Sequence, residues 1–195
     1  MTRTVTVERT TKETHISLAL NLDGSGQSNI TTGIGFLDHM LTLFAKHGSF
    51  NLDLTAKGDL DVDFHHTVED IGLSLGEAIR VALDDRAGIH RYGNAVVPMD
   101  EALAEVTVDL SNRPFLVFQM PRVDVMPDGF DFSLVKEFFR ALSNTAGMNL
   151  HIRVPYGENG HHVIEAVFKA FARALSQAVR INPDLSGVLS TKGVL

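Results

Sequence analysis

His65-His66-Thr67-Val68-Glu69 and His161-His162-Val163-Ile164-Glu165 are one five-residue phrase written twice in a single chain. Upstream of the first lies Phe50-Asn51-Leu52, and a similar distance upstream of the second lies Met148-Asn149-Leu150. Self-similarity on this scale marks a duplicated supersecondary unit. The reading of one half therefore constrains the reading of the other.

In the first half, alternating residues predict strands over Thr4–Thr10 and His15–Leu22. The turn Asp23-Gly24-Ser25-Gly26 follows, then a short extended segment near Asn29–Thr32. Phe36, Leu37, Met40, Leu41, Leu43 and Phe44 recur at helical spacing up to Gly48. A strand over Phe50–Leu54 and a long helix from about His66 to Leu83 complete the unit. The second half repeats the order, with extended segments at Asn94–Val97, Leu103–Leu110 and Phe115–Gln119. A helix over Phe132–Ala146, a strand over Met148–Ile152 and a helix from about His161 to Val179 follow. The expected fold class is α/β (α+β), an internal duplication of a βββαβα-type unit. Each unit has one apolar sheet face and two helices to cover it. No Pro/Ser-rich linker separates the repeats, about 1–92 and 93–195, so residues 1–195 are expected to form a single domain.

Composition narrows the function. The chain has 195 residues, 44% hydrophobic and 21% charged, with a formal net charge of -7. An acidic balance with scattered Lys and Arg is poor for binding nucleic acid, which is held by clustered basic residues. No apolar run is long enough to cross a membrane, and the alternating N-terminus does not read as a signal peptide. A cytoplasmic enzyme is the expectation. The chain lacks cysteine, so any metal must be held by imidazole and carboxylate.

Residues i and i+4 of a helix share a face, whereas i+1 is rotated by about 100°. His65 with Glu69 can approach one ion, while His66 turns toward another; His161, Glu165 and His162 repeat the arrangement. One helical turn supplies too few ligands for a site. His39 is the best further candidate in the first half, and matching the strands places Glu137 at the equivalent position of the second. A helix-start histidine without a ligand role is the competing reading of His39. Imidazole with carboxylate and no sulfur suits Mn, Fe, Co or Zn, with Mn or Fe favoured over Mg by nitrogen-rich six-coordinate sites. His15, His47, His90 and His151 have no such partners and read as structural or solvent-facing.

Phe36-Leu-Asp-His-Met-Leu41, His65-His-Thr-Val-Glu-Asp70, Gly88-Ile-His-Arg-Tyr-Gly93, Pro98-Met-Asp-Glu101 and Phe168-Lys-Ala-Phe-Ala-Arg173 resemble imidazoleglycerol-phosphate dehydratase, over essentially the whole chain. The resemblance implies a duplicated fold related to domain 2 of ribosomal protein S5. It also implies 24-subunit homo-oligomers with two Mn ions per active site and sites between subunits. Its metal ligands would be His39, His65, His66, Glu69, Glu137, His161, His162 and Glu165. The match departs at Glu137, where relatives often carry histidine.

The implied reaction removes a hydroxyl beside the imidazole of a small phosphorylated substrate and a hydrogen from the next carbon. Two Lewis acids on the two ring nitrogens give the doubled motif a chemical reason. The resemblance makes Glu13, Asp100 and Glu165 the acid/base candidates. It makes Glu13, His39, Arg91, Arg113, Ser190 and Lys192 the substrate-binding set, the arginines as phosphate forks. Without it, Glu13 and Asp100 read as turn carboxylates, the arginines as surface charges and Ser190-Thr-Lys192 as a frayed terminus. Metal storage, RNA binding and metal-dependent phosphohydrolysis are the competing functions. The first has no need of Arg91, Arg113 or Lys192, the second conflicts with the acidic balance, and the third favours sites richer in Asp.

Overall fold

A computed structural model describes residues 3–121, 123 and 130–195. The first half runs β1 (Thr4–Thr10), β2 (Thr14–Asn21), β3 (Ser28–Thr31), α1 (Gly35–Gly48), β4 (Asn51–Gly58) and α2 (His65–Leu83). The second half runs β5 (Tyr92–Met99), β6 (Ala102–Asp109), β7 (Phe115–Gln119), α3 (Phe132–Ala146), β8 (Asn149–Tyr156) and α4 (Gly160–Val179). Both halves are therefore βββαβα.

Each half makes a four-stranded sheet of the same order, β1-β2-β4-β3 and β5-β6-β8-β7. The first two pairings of each sheet are antiparallel and the last is parallel. The inward residues of β2, Ile16, Leu18 and Leu20, are fully buried, as alternation requires of a strand with one covered face. Helices α1 and α2 cover the first sheet, α3 and α4 the second. The halves meet helix to helix, α1 against α4 and α2 against α3. Phe44 of α1 stacks on Phe171 of α4 at 5.6 Å, and Phe139 of α3 meets the same ring edge-on at 5.2 Å. The α2–α3 approach needs glycine. A Cβ on Gly72 would lie 2.7 Å from the Phe138 carbonyl oxygen, and one on Gly76 would lie 2.6 Å from that of Leu142.

Several elements run longer than the apolar pattern predicts. Strand β4 continues to Gly58, because small Ala56 still points inward. Strand β5 includes Pro98, which an edge strand tolerates. Strand β8 is central and includes Pro155, which cannot donate to a ladder. The register there shifts between Leu103 and Glu105, placing an extra residue on β8. That bulge absorbs the proline.

The matched asparagines have matching tasks. Asn51 Oδ1 accepts from the Ser25 and Gln27 N–H groups at 2.8 and 3.1 Å, pinning the turn after β2 to the start of β4. Asn149 donates to Ser111 Oγ at 3.1 Å and to the Arg113 carbonyl, pinning the turn after β6 to the start of β8.

Candidate metal centre

The two repeated phrases open helices whose first N–H groups are held by side chains, from the N-cap residue in α4 and from the residue before it in α2. Asp63 Oδ1 accepts from the His65 N–H at 2.7 Å. Asn159 Oδ1 accepts from the N–H groups of His161 and His162 at 2.9 and 3.4 Å. Such caps satisfy the orphan donors of a helix start and fix its first side chains. Helix α1 is anchored differently. Asp38 Oδ1 accepts from the Thr32 N–H at 2.9 Å and from its hydroxyl at 2.6 Å, tying the incoming chain to the turn that carries His39.

Where the first turns of α1 and α4 meet, three donors converge. His39 Nε2 and His161 Nε2 lie 3.1 and 3.0 Å from one oxygen, Glu165 Oε2. Donor atoms of all three residues lie within 4.8 Å of one another. Ligands bonded at about 2.0–2.2 Å to a divalent ion sit up to ~4.4 Å apart across it, so the set fits such an ion with little movement. Glu165 is 6% exposed, and its other oxygen accepts from Lys169 Nζ at 2.5 Å. Burial alone pushes this carboxyl up, but hydrogen bonds from Lys169, His39 and His161 outweigh it and hold the group at about 2. It is ionised at neutral pH, as a ligand must be.

The corresponding place between α2 and α3 gathers no such set: among the described residues only His39, His161 and Glu165 bring three ligand atoms within 4.8 Å of one another. His65 Nε2 lies 3.6 Å from Glu69 Oε2. Arg140 Nη2 lies 3.6 Å from Glu69 Oε1 and also rests against Glu137. The Glu137 oxygen it touches is buried and makes no well-formed hydrogen bond.

The second histidine of each pair turns away from the first. Ring planes are 83° apart for His65 and His66, and 84° apart for His161 and His162. His66 Nδ1 is bonded to Asp59 Oδ2 at 3.0 Å, and His162 Nδ1 to Glu101 Oε2 at 2.7 Å. These bonds raise both imidazoles above their ordinary range. The His162 bond, with backbone N–H donors, holds Glu101 at about 2. A carboxylate on Nδ1 fixes the tautomer that leaves Nε2 for a metal, the usual support behind a ligating histidine. Glu13, in the β1–β2 turn, brings Oε2 to 3.9 Å from His66 Nδ1. Asp100, in the β5–β6 turn, brings Oδ2 to 3.8 Å from His162 Nε2.

The remaining candidates gather elsewhere. A cavity of about 680 Å³ is lined by Arg91, Arg113, Ser190 and Lys192 with their neighbours. Arg91 forks onto Asp109 at 2.7 and 3.1 Å and reaches the Leu189 carbonyl at 2.6 Å. It therefore orders the C-terminal segment as much as it faces the cavity. Among the described residues the Arg113 guanidinium makes only a long 3.4 Å bond to the Ser111 carbonyl, which leaves its fork for an anion.

The imidazoleglycerol-phosphate dehydratase family model matches residues 32–175. The chain belongs to that family. The imidazoleglycerol-phosphate dehydratase of Geobacter metallireducens is 56% identical over 195 residues, covering 100% of both chains. The crystal structure of the Staphylococcus aureus dehydratase superposes with a TM-score of 0.83 at 41% identity, over 92% of this chain and 99% of that one. That of Pyrococcus furiosus gives 0.81 at 41%, over 97% and 100%. A dehydratase breaks a carbon–oxygen bond with loss of water, so the family is one of hydro-lyases.

Against this dehydratase frame, the ligand candidates pair differently from the sequence expectation. His39 of the first half joins His161 and Glu165 of the second, whereas Glu137 of the second half is linked to Glu69 of the first only through Arg140, which lies against both. The reason is the helix-to-helix docking of the halves, which brings together α1 with α4 and α2 with α3. The substrate candidates also divide, with Glu13 and His39 at the metal end and Arg91, Arg113, Ser190 and Lys192 at the cavity. Four residues escaped sequence reasoning: Lys169, Glu101, Asp59 and Arg140. Lys169 was within reach, four residues after Glu165 on the same helix face. Glu101 follows from counting along the repeat from Glu13, whereas Asp59 and Arg140 carry no sequence signal.

Proposed function

We propose that this chain dehydrates D-erythro-imidazole glycerol phosphate to imidazole acetol phosphate in histidine biosynthesis, as a cytoplasmic enzyme using two divalent ions, Mn by preference. The observation that carries the reading is the convergence of His39, His161 and Glu165 within 4.8 Å. Within the two repeated motifs, the second histidines, His162 and His66, are braced by Glu101 and Asp59. The eight ligands are His39, His65, His66, Glu69, Glu137, His161, His162 and Glu165.

Bound ions would supply Lewis acidity at both nitrogens of the substrate ring, favouring its imidazolate form. The chain's own groups do the rest. Electron density from the ring expels the neighbouring hydroxyl, which leaves as water with a proton from a carboxylic acid, Glu13 or Asp100. The resulting diazafulvene-like species makes the adjacent C–H acidic. A carboxylate of the same set removes that proton, and the enol rearranges to the ketone. Lys169 keeps Glu165 charged throughout. Arg113, Ser190 and Lys192, with Arg91 behind them, hold the phosphate.

The two kinds of site lie far apart in one chain. The Arg91 N–H bonds the Ala178 carbonyl at 2.9 Å, near the C-terminus of α4, whereas His161 and His162 open that helix. At about 1.5 Å per residue the separation is roughly 24 Å, too far for one small substrate. This supports active sites shared between subunits of a homo-oligomer, with 24 copies as the resemblance implies. Within each copy the repeats, 1–92 and 93–195, act as a single domain. Among the described residues no helix is long and apolar enough to cross a membrane.

Incubating the purified protein with imidazole glycerol phosphate and Mn, and detecting the ketone, tests the reading. Product should appear with metal and vanish with a chelator. Metal-loaded, folded protein that forms no ketone overturns it.

A further inference from the structure

The acidic residue just after the first repeated motif, Asp70, takes no part in the His39, His161 and Glu165 cluster. It is 8% exposed and points back toward the sheet. Its Oδ2 accepts from the Thr14 hydroxyl at 2.5 Å, and its Oδ1 pairs with Arg9 Nη2 at 2.8 Å. Thr14 and Arg9 flank the β1–β2 turn, which carries Glu13. With its own proton directed to Asp70, the Thr14 oxygen receives the Thr11 hydroxyl at 3.2 Å. Thr11 Oγ1 in turn accepts from the N–H groups of Glu13 and Thr14 at 3.1 and 2.9 Å. One chain of hydrogen bonds thus runs from the Asp70 carboxylate to the backbone of Glu13.

The twin repeat separates this network from the needs of the fold. Counting along the matched strands and helices, Thr14 corresponds to Ala102 and Asp70 to Ala166, both buried. The same unit therefore folds without the hydroxyl or the carboxylate. There the turn is held by Glu101, whose Oε1 accepts from the Glu158 and Asn159 N–H groups at 3.2 and 2.8 Å. Glu101 also bonds His162. In the first repeat Glu13 is 3.9 Å from its histidine and 54% exposed, so its own contacts do not hold the turn.

We infer that Asp70 is a positioning residue, which sets the β1–β2 turn through Thr14 and Thr11 and so aims the Glu13 carboxylate at the space beside His66. This rests on the reading of Glu13 as a proton-transferring, substrate-contacting group. A carboxylate on a turn must be held against thermal motion, and misplacement by about 1 Å costs on the order of 100-fold in rate.

The test uses the metal-loaded, assembled protein. Thr14→Val removes the link while keeping shape and leaves Glu69, Asp70 and the ligands untouched. It should lower kcat by roughly 10- to 100-fold, with unchanged metal content. Amide hydrogen exchange should accelerate in a peptide covering Thr11–Thr14 and not in α2. Thr14→Ser should restore both the rate and the exchange protection. Glu13→Gln added to Thr14→Val should cost far less than Glu13→Gln alone, since a mis-aimed carboxylate has little left to lose. Wild-type kcat and exchange in Thr14→Val, or fully multiplicative losses in the double variant, overturn the assignment. Wild-type activity in Glu13→Gln alone would instead refute the role given to Glu13. The exchange measurement would still report whether Thr14 holds the turn.

Discussion

Replacing Glu101 by glutamine should damage metal binding more than removing the side chain does. Glu101 Oε1 accepts from two backbone N–H groups, at 3.2 and 2.8 Å, and only the oxygen of a carboxamide can take that place. The amide NH2 is then turned toward His162 Nδ1, 2.7 Å from the present Oε2. An NH2 group can only donate, so Nδ1 must become the acceptor and the ring proton must move to Nε2. That nitrogen is the one left for an ion, and a protonated nitrogen cannot ligate. Loss of such a supporting contact costs about 10- to 100-fold in metal affinity, and the forced tautomer places Glu101→Gln at the upper end. Glu101→Ala lets water accept from Nδ1 and should fall at the lower end. Calorimetric titration of chelator-stripped protein with Mn measures both. Wild-type affinity in Glu101→Gln, or a larger loss in Glu101→Ala, would refute the reasoning.

Arg86 tests the join between the halves. It is 3% exposed and donates to the carbonyls of Leu110, Gly147 and Ala146 at 3.1, 3.0 and 2.7 Å. Arg86→Met strands three acceptors, two at the end of α3 and one just after β6, and should cost about 3–5 kcal/mol. That is a fall in Tm of roughly 6–20 °C for a chain of this length; a fall under about 2 °C would show that water replaces the guanidinium. Asp23 links stability to pH. The hydrogen bond from Arg3 holds its carboxyl below the ordinary 3.8, against a smaller opposing effect of burial. A depressed folded-state value gives stability that is present above about 3.8 and is lost as pH falls through the folded value. Asp23→Asn should therefore be less stable than wild type at neutral pH, by a modest amount for so exposed a pair. Urea midpoints of the two should converge at the acid end; a constant gap would show that the charge is not the cause.

The fold was legible because each helix carries a dense apolar stripe and the repeat gave every element two chances to be seen. Strand ends were less legible. Thr55-Ala-Lys-Gly58 has too little apolar bulk to mark the end of β4, and Pro155 reads as a stop unless the bulge opposite Ala104 is known. Local chemistry at the site was visible for the same reason as the helices, since i and i+4 lie on one face. The pairing of His39 with Glu165 was not, because 126 residues separate them and only the docking of α1 on α4 joins them. Arg140 beside Glu69 is likewise a product of α2 lying on α3. The supporting carboxylates sit in loops, where spacing carries no periodic signal. Glu101 alone was open to the counting argument, and the different lengths of the two hairpin turns obscured it.

The crossed pairing also bears on origin. His39 meets Glu165 of the other half's motif, and Glu137 shares Arg140 with Glu69 of the first half's motif. A solitary βββαβα unit would hold only part of either cluster. Two identical copies docked about a twofold axis would have completed two identical clusters at once, with the helix interface and the metal sites arising together. Joining such copies into one chain would release each cluster from that symmetry. The two seams now differ: Arg140 lies between Glu137 and Glu69 in one, and His39 and Lys169 flank Glu165 in the other. An ion bound across such a seam draws the halves together, so the seam and the chemistry stabilise each other.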